Sequence, residues 1–165
     1  MKLFSELYTA LDETTQTTSK VEALVAYLRA AEPEDAVWAI SMLMGRKLRQ
    51  PVSALKLRRW AAEEAGIPEW LFNASYEVVG DLAETVTLLL PPGACDDNRR
   101  LKVWIEHDLI PLRGLSEKRQ RETVTSACRG MDRRQRLVWN KLITGNASSP
   151  PRPPIPTSAA PIPFS

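Results

Sequence analysis

The sequence predicts an all-α domain, and three observations carry the prediction. Apolar residues recur at helical spacing through most of the first 145 positions. Helix-capping residues stand where those runs begin, and glycine or proline stands where they end. No segment shows sustained apolar–polar alternation between hairpin turns, so no sheet is expected.

Each element has its own signal. Phe4, Leu7, Tyr8 and Leu11 fall at i, i+3, i+4 and i+7, one buried face of a first helix. Ser19 with Glu22 resembles a capping box ahead of Val21, Leu24, Val25 and Leu28. Pro33, followed by Glu34 and Asp35, opens a third helix through Val37, Trp38, Ile40, Met42, Leu43 and Met44, which Gly45 ends. Pro51 marks a turn, and Ser53 caps a helix through Leu57, Trp60 and Ala61 to Gly66. Pro68 opens the next, with Trp70, Leu71 and Phe72. Asp81 and Glu84 form a capping-box pattern before Leu82, Val86, Leu88, Leu89 and Leu90, and Pro91-Pro92-Gly93 stops that run. Leu101, Trp104 and Ile105 mark a helix, and Ser116 to Arg129 another. Asp132 with Gln135 caps a last one through Leu137, Val138, Leu142 and Ile143 to Gly145. The five tryptophans, Trp38, Trp60, Trp70, Trp104 and Trp139, all sit in these patterns and are expected in the core rather than on a base-stacking surface.

Residues 146–165 differ. Seven of these 20 residues are proline, with too little apolar surface to offset the entropy of ordering, so a disordered or polyproline-like tail is expected. The chain therefore divides into a helical domain, 1–145, and a tail, 146–165. The tail contains PxxP spacing from Pro150 to Pro153, which keeps a protein-interaction module as an alternative function.

Composition excludes several classes. Cys95 and Cys128 stand far apart without CxxC spacing, and a single histidine, His107, does not complete a zinc site. The N-terminal segment mixes apolar and polar residues, which argues against a signal peptide or membrane span and for a cytoplasmic protein. GxxxxGK[ST] and GxGxxG are both absent. His107 beside Asp108, and the acidic pairs Glu63-Glu64 and Asp96-Asp97, read as surface charges. The net charge of +2 hides an asymmetry: residues 1–112 carry 12 basic and 17 acidic side chains, and residues 113–165 carry 10 and 3. Such a distribution fits an anionic partner or a solvated charged face.

The densest basic stretch holds Arg46, Lys47, Arg49, Lys56, Arg58 and Arg59 with no acid between them. A helix closed by Gly45 and followed by clustered cations can aim N–H groups and guanidinium forks at successive phosphates. Read from charge alone, the same stretch is also an ordinary solvated loop. Lys56 and Arg59 share one helix face, and Arg58 points elsewhere. A second cluster comprises Arg113, Lys118, Arg119, Arg121, Arg129, Arg133, Arg134 and Arg136. Part of its charge is expected to be paired locally, through Lys118, Arg121 and Glu122.

Three segments together resemble the N-terminal DNA-binding domain of ATP-dependent DNA ligases, most closely the bacterial type. Residues 37–49, VWAISMLMGRKLR, are similar to that family's third helix and basic loop. Residues 60–90, WAAEEAGIPEWLFNASYEVVGDLAETVTLLL, are similar to the stretch around its Gly-Asp-Leu-Ala-Glu-Thr element. Residues 137–145, LVWNKLITG, resemble the helix before its second basic turn. The resemblance implies a monomeric helical domain that grips double-stranded or nicked DNA through phosphates, in replication, repair and recombination. It implies phosphate contacts at Arg46, Lys47, Arg49, Lys56 and Arg59, and at Lys141 in the last helix. ATP and Mg²⁺ would belong to a separate catalytic core, since no lysine here begins a Lys-x-Asp-Gly adenylation motif. The passage from Gly145 into the proline tail departs from the family pattern and reads as a truncation, leaving a non-catalytic relic as a further alternative.

Overall fold

The computed structural model describes residues 1–46, 48–91, 93 and 98–145. Within them the chain is all-α, as its periodicity predicts. The helices are α1 (Lys2–Glu13), α2 (Thr17–Ala30), α3 (Pro33–Leu43), α4 (Ala54–Ala65), α5 (Glu69–Val79), α6 (Leu82–Leu89), α7 (Leu101–Val103), α8 (Glu117–Gly130) and α9 (Arg133–Thr144). Downstream of α7 the chain stays helical in other registers, π over Trp104–Leu109 and 3₁₀ over Pro111–Gly114. The Ile110 N–H donates to the Ile105 carbonyl at 2.8 Å, an i→i−5 bond, just before Pro111 removes the next donor.

The expected caps form where short polar side chains precede apolar runs. Asp132 and Gln135 make a complete capping box on α9, with bonds of 2.8 and 3.2 Å. Asp81 accepts from the Glu84 N–H at 2.9 Å to start α6, and Ser53 accepts from the Lys56 N–H at 3.4 Å to start α4. The Ser19–Glu22 expectation fails. Helix α2 begins at Thr17, and the Ser19 hydroxyl donates to the Gln16 side chain at 3.4 Å from inside the first turn. The Gln16 N–H already bonds the Thr14 hydroxyl oxygen at 3.2 Å, so a turn at 14–16 launches the helix early.

Helices α6 and α9 pack along each other at the centre. Helix α1 leans on α9 and α2, helices α4 and α5 cover α6, and α8 lies across α4. Trp60, Trp104 and Trp139 are fully buried, and the last two meet edge-on with ring centroids 5.1 Å apart. Trp38 is half-buried and donates its indole N–H to Glu106 at 3.1 Å. Trp70 corrects the expectation of five core tryptophans: it is 69% exposed, because α5 buries its opposite face through Phe72. The faces of α2 and α3 are also rotated from expectation. Val21, Val25, Leu28, Val37, Ile40 and Met44 are exposed, whereas Tyr27, Ala39 and Met42 are buried. Tyr27 wins its place by packing edge-on to Phe4 at 6.1 Å.

Two glycines are required by geometry. Gly145 ends α9 in the left-handed region at φ 70°. At Gly93 any Cβ would overlap the carbonyl oxygens of Arg129 and Met131, so the chain after α6 passes the end of α8 only with no side chain there.

Candidate nucleic-acid interface

The candidate surface starts where α3 stops. Gly45 adopts φ 81°, its N–H donates to the Met42 carbonyl at 2.9 Å, and the Arg46 N–H donates to Ser41 at 3.1 Å. These bonds close the helix and turn the chain outward. The chain is pinned again by Leu48, half-buried against the core, and by the buried Pro51 and Val52. The end of α9 comes against the same segment, since a Cβ on Gly145 would lie 3.7 Å from the Leu48 carbonyl oxygen. Between these anchors Arg46 and Arg49 are exposed. Neither side chain makes an ion pair or side-chain hydrogen bond among the described residues. Lys47 lies outside the described residues.

The other expected contacts are placed differently. Lys56 and Arg59 do share a face of α4, but both turn to Glu117 at the start of α8. Lys56 Nζ lies 3.0 Å from one carboxylate oxygen, and the Arg59 guanidinium holds the other. The hydrogen bond from Lys56, reinforced by the charges of Lys56 and Arg59, keeps the Glu117 carboxyl below the usual carboxylate range. Arg58 points away, as its helical position requires, and lies over the Tyr76 ring at 4.1 Å.

Lys141 is not a surface cation. Its side chain is 5% exposed, and its ammonium donates to Asp81 at 2.6 Å, joining α9 to the cap of α6. Helix position alone puts this lysine beside Leu142 and Val138 on the face turned to α6, so its charge needs an internal partner.

The second basic cluster splits three ways. Arg121 pairs with Glu63 at 2.7 Å and Arg129 with Glu64, its second guanidinium nitrogen at 2.8 Å. These bonds run from α8 to α4, not locally to Glu122 as the spacing suggested. They also show that Glu63 and Glu64 work as interhelical partners. Arg136 is buried and bonded to carbonyl oxygens of Cys128 and Leu90. Arg113, Lys118, Arg119, Arg133 and Arg134 remain exposed.

His107 is exposed, and Asp108 is paired with Arg99 at 3.0 Å. Burial pushes the Cys128 thiol up to about 12, against the opposing pull of Arg136, so it is protonated at neutral pH. Among the described residues no group of three His, Cys, Asp or Glu side chains is placed to hold a metal ion. Cys95, Asp96 and Asp97 lie outside the described residues, as does the tail from 146. No described helix is long and apolar enough to cross a membrane.

The ion pairs of Glu117 and Asp81 are what sequence reasoning missed, because their partners lie 58 and 60 positions away. A signal for Arg136 did exist: it falls three residues before Trp139 and seven before Ile143, on the core stripe of α9.

No curated protein matches the chain. The family described as DNA ligase N terminus matches residues 1–148. That match spans the whole helical domain, including the turn at Gly45, the Asp81 cap and the α9 segment that carried the resemblance. The chain therefore belongs to the family of DNA ligase N-terminal domains.

Proposed function

We propose that this domain binds duplex DNA without sequence preference, by holding phosphates at the 45–50 turn, as the DNA-gripping part of a ligase acting in replication, repair and recombination. The observation that carries this reading is the pair Arg46 and Arg49: exposed, free of carboxylate partners among the described residues, and mounted on a turn anchored at both ends. Cations held ready and unpaired lose little on meeting a phosphate. Lys47 stands between them in sequence and completes the group. Contact through phosphates gives no base discrimination, and affinity of about 10⁻⁴–10⁻⁶ M at physiological salt is expected for such binding. Strand joining would need an adenylation core with a Lys-x-Asp-Gly lysine, ATP and Mg²⁺, for which this domain would position the nick. The domain is read as a monomer.

Fluorescence anisotropy with nicked and intact duplexes across a salt series tests the reading. The double variant R46Q/R49Q should bind more weakly, and its slope of log affinity against log salt should be shallower by about 1.8, two phosphate contacts' worth. An unchanged slope would remove this turn from the interface. Lys141 supplies the contrast. K141Q should leave the salt slope as it is but lower stability by about 1–3 kcal/mol, because Asp81 loses the cation that neutralises it. A salt slope altered by K141Q in a fully folded protein would reverse the structural assignment of this lysine.

A further inference from the structure

We propose that Glu117 is a built-in stand-in for DNA phosphate, holding Lys56 and Arg59 in the free domain and releasing them to the duplex backbone on binding. The inference rests on the DNA-binding reading above and deepens it, by assigning the group that competes with DNA for two of the expected phosphate ligands.

The geometry around Glu117 is that of an anion site with its anion supplied by the protein. One carboxylate oxygen receives Lys56 Nζ at 3.0 Å, and the other receives the Arg59 guanidinium. Two non-bridging phosphate oxygens would meet the same two donors in the same way. All three side chains are open to solvent, at 37% for Lys56, 50% for Arg59 and 47% for Glu117. Exchange of partner would therefore need no unpacking of the core. The buried Lys141–Asp81 pair offers no such route, and Glu64, partner of Arg129, is only 14% exposed.

Position and charge support the exchange. Ser53 caps α4 only four residues after Arg49, and Lys56 lies in the first turn of that helix with Arg59 one turn further on. The free cations of the turn thus pass directly into the two that Glu117 occupies. Because Lys56 and Arg59 keep its carboxyl below the usual range, Glu117 stays anionic at neutral pH and goes on competing. Exposed ion pairs contribute little to stability, so giving up two of them is a small cost against two phosphate contacts.

Anisotropy on the full chain decides the matter, using E117Q, K56Q/R59Q and the triple combination, each verified as helical by circular dichroism. Removing the carboxylate should tighten binding to a plain duplex by about three- to tenfold. K56Q/R59Q should make the salt slope shallower by about 1.8. The gain from E117Q should vanish when Lys56 and Arg59 are already gone. An equal or larger gain in that background would mean that Glu117 acts only as a distant repelling charge, and a slope unmoved by K56Q/R59Q would mean that these cations never meet DNA; either result overturns the proposal while leaving R46Q/R49Q to judge the 45–50 turn. Absence of salt-sensitive binding by the unaltered chain would overturn both readings together.

Discussion

Replacing Arg136 by alanine is expected to lower the unfolding free energy by about 3–5 kcal/mol, the largest effect of any charged residue in the domain. Arg136 is 2% exposed, yet no carboxylate pairs with it among the described residues. It is tolerated inside because of where its guanidinium sits. Nε and one terminal nitrogen donate to the Cys128 carbonyl at 3.0 and 2.7 Å, and the other terminal nitrogen donates to Leu90 at 3.2 Å. Cys128 belongs to the last turn of α8, and Leu90 caps the end of α6. Carbonyls at helix ends have no partner within the helix, and the negative end of the helix dipole favours a cation. One side chain of α9 thus closes the C-terminal ends of two neighbours. Arg136→Met should recover part of the loss by keeping the apolar stem, while still leaving both carbonyls unpaired. Urea denaturation measures the difference. A loss below about 1 kcal/mol for the alanine variant would mean that these carbonyls find other donors.

The second large effect belongs to Trp139, and its value lies in a comparison. Trp139→Ala should cost about 3–5 kcal/mol, since the side chain is fully buried and its removal opens a cavity beside Trp104. Trp139→Phe should cost less than about 2 kcal/mol. Phenylalanine keeps an aromatic edge against Trp104, and the indole N–H of Trp139 has no acceptor among the described residues, so the substitution removes no hydrogen bond. Thermal unfolding of both variants makes the test. Equal losses would show that the indole nitrogen holds a partner that matters to the fold.

Much of the candidate interface is legible from residue order alone. The turn at Gly45 reads as a helix stop followed by cations with no intervening acid, and both features are local. The structure adds that Leu48, Pro51 and Val52 anchor that turn, and that the end of α9 lies beside it. Which cations are free was not legible. Lys56, Arg59 and Lys141 look alike in sequence to Arg46 and Arg49, yet the first two share Glu117 and the third is buried on Asp81.

The same division holds for the whole domain. Residue order by itself determined that the chain is helical, where most helices begin and end, and where cations cluster in sequence with no acid between them. Periodicity, caps and glycine stops act within a few residues, so they survive being read one segment at a time. Only the tertiary structure decided which way the helices turn. Helices α2 and α3 carry apolar residues on more than one face, and Trp70 stands on a helix that buries its other side through Phe72. Burial is awarded by the neighbour, and the neighbours of α3, α4 and α9 include α7, α8 and α1, from distant parts of the chain. Charge pairing follows the same rule: an ion pair is set by proximity in space, and the pairs that classify Lys56, Arg59 and Lys141 span about sixty residues of sequence.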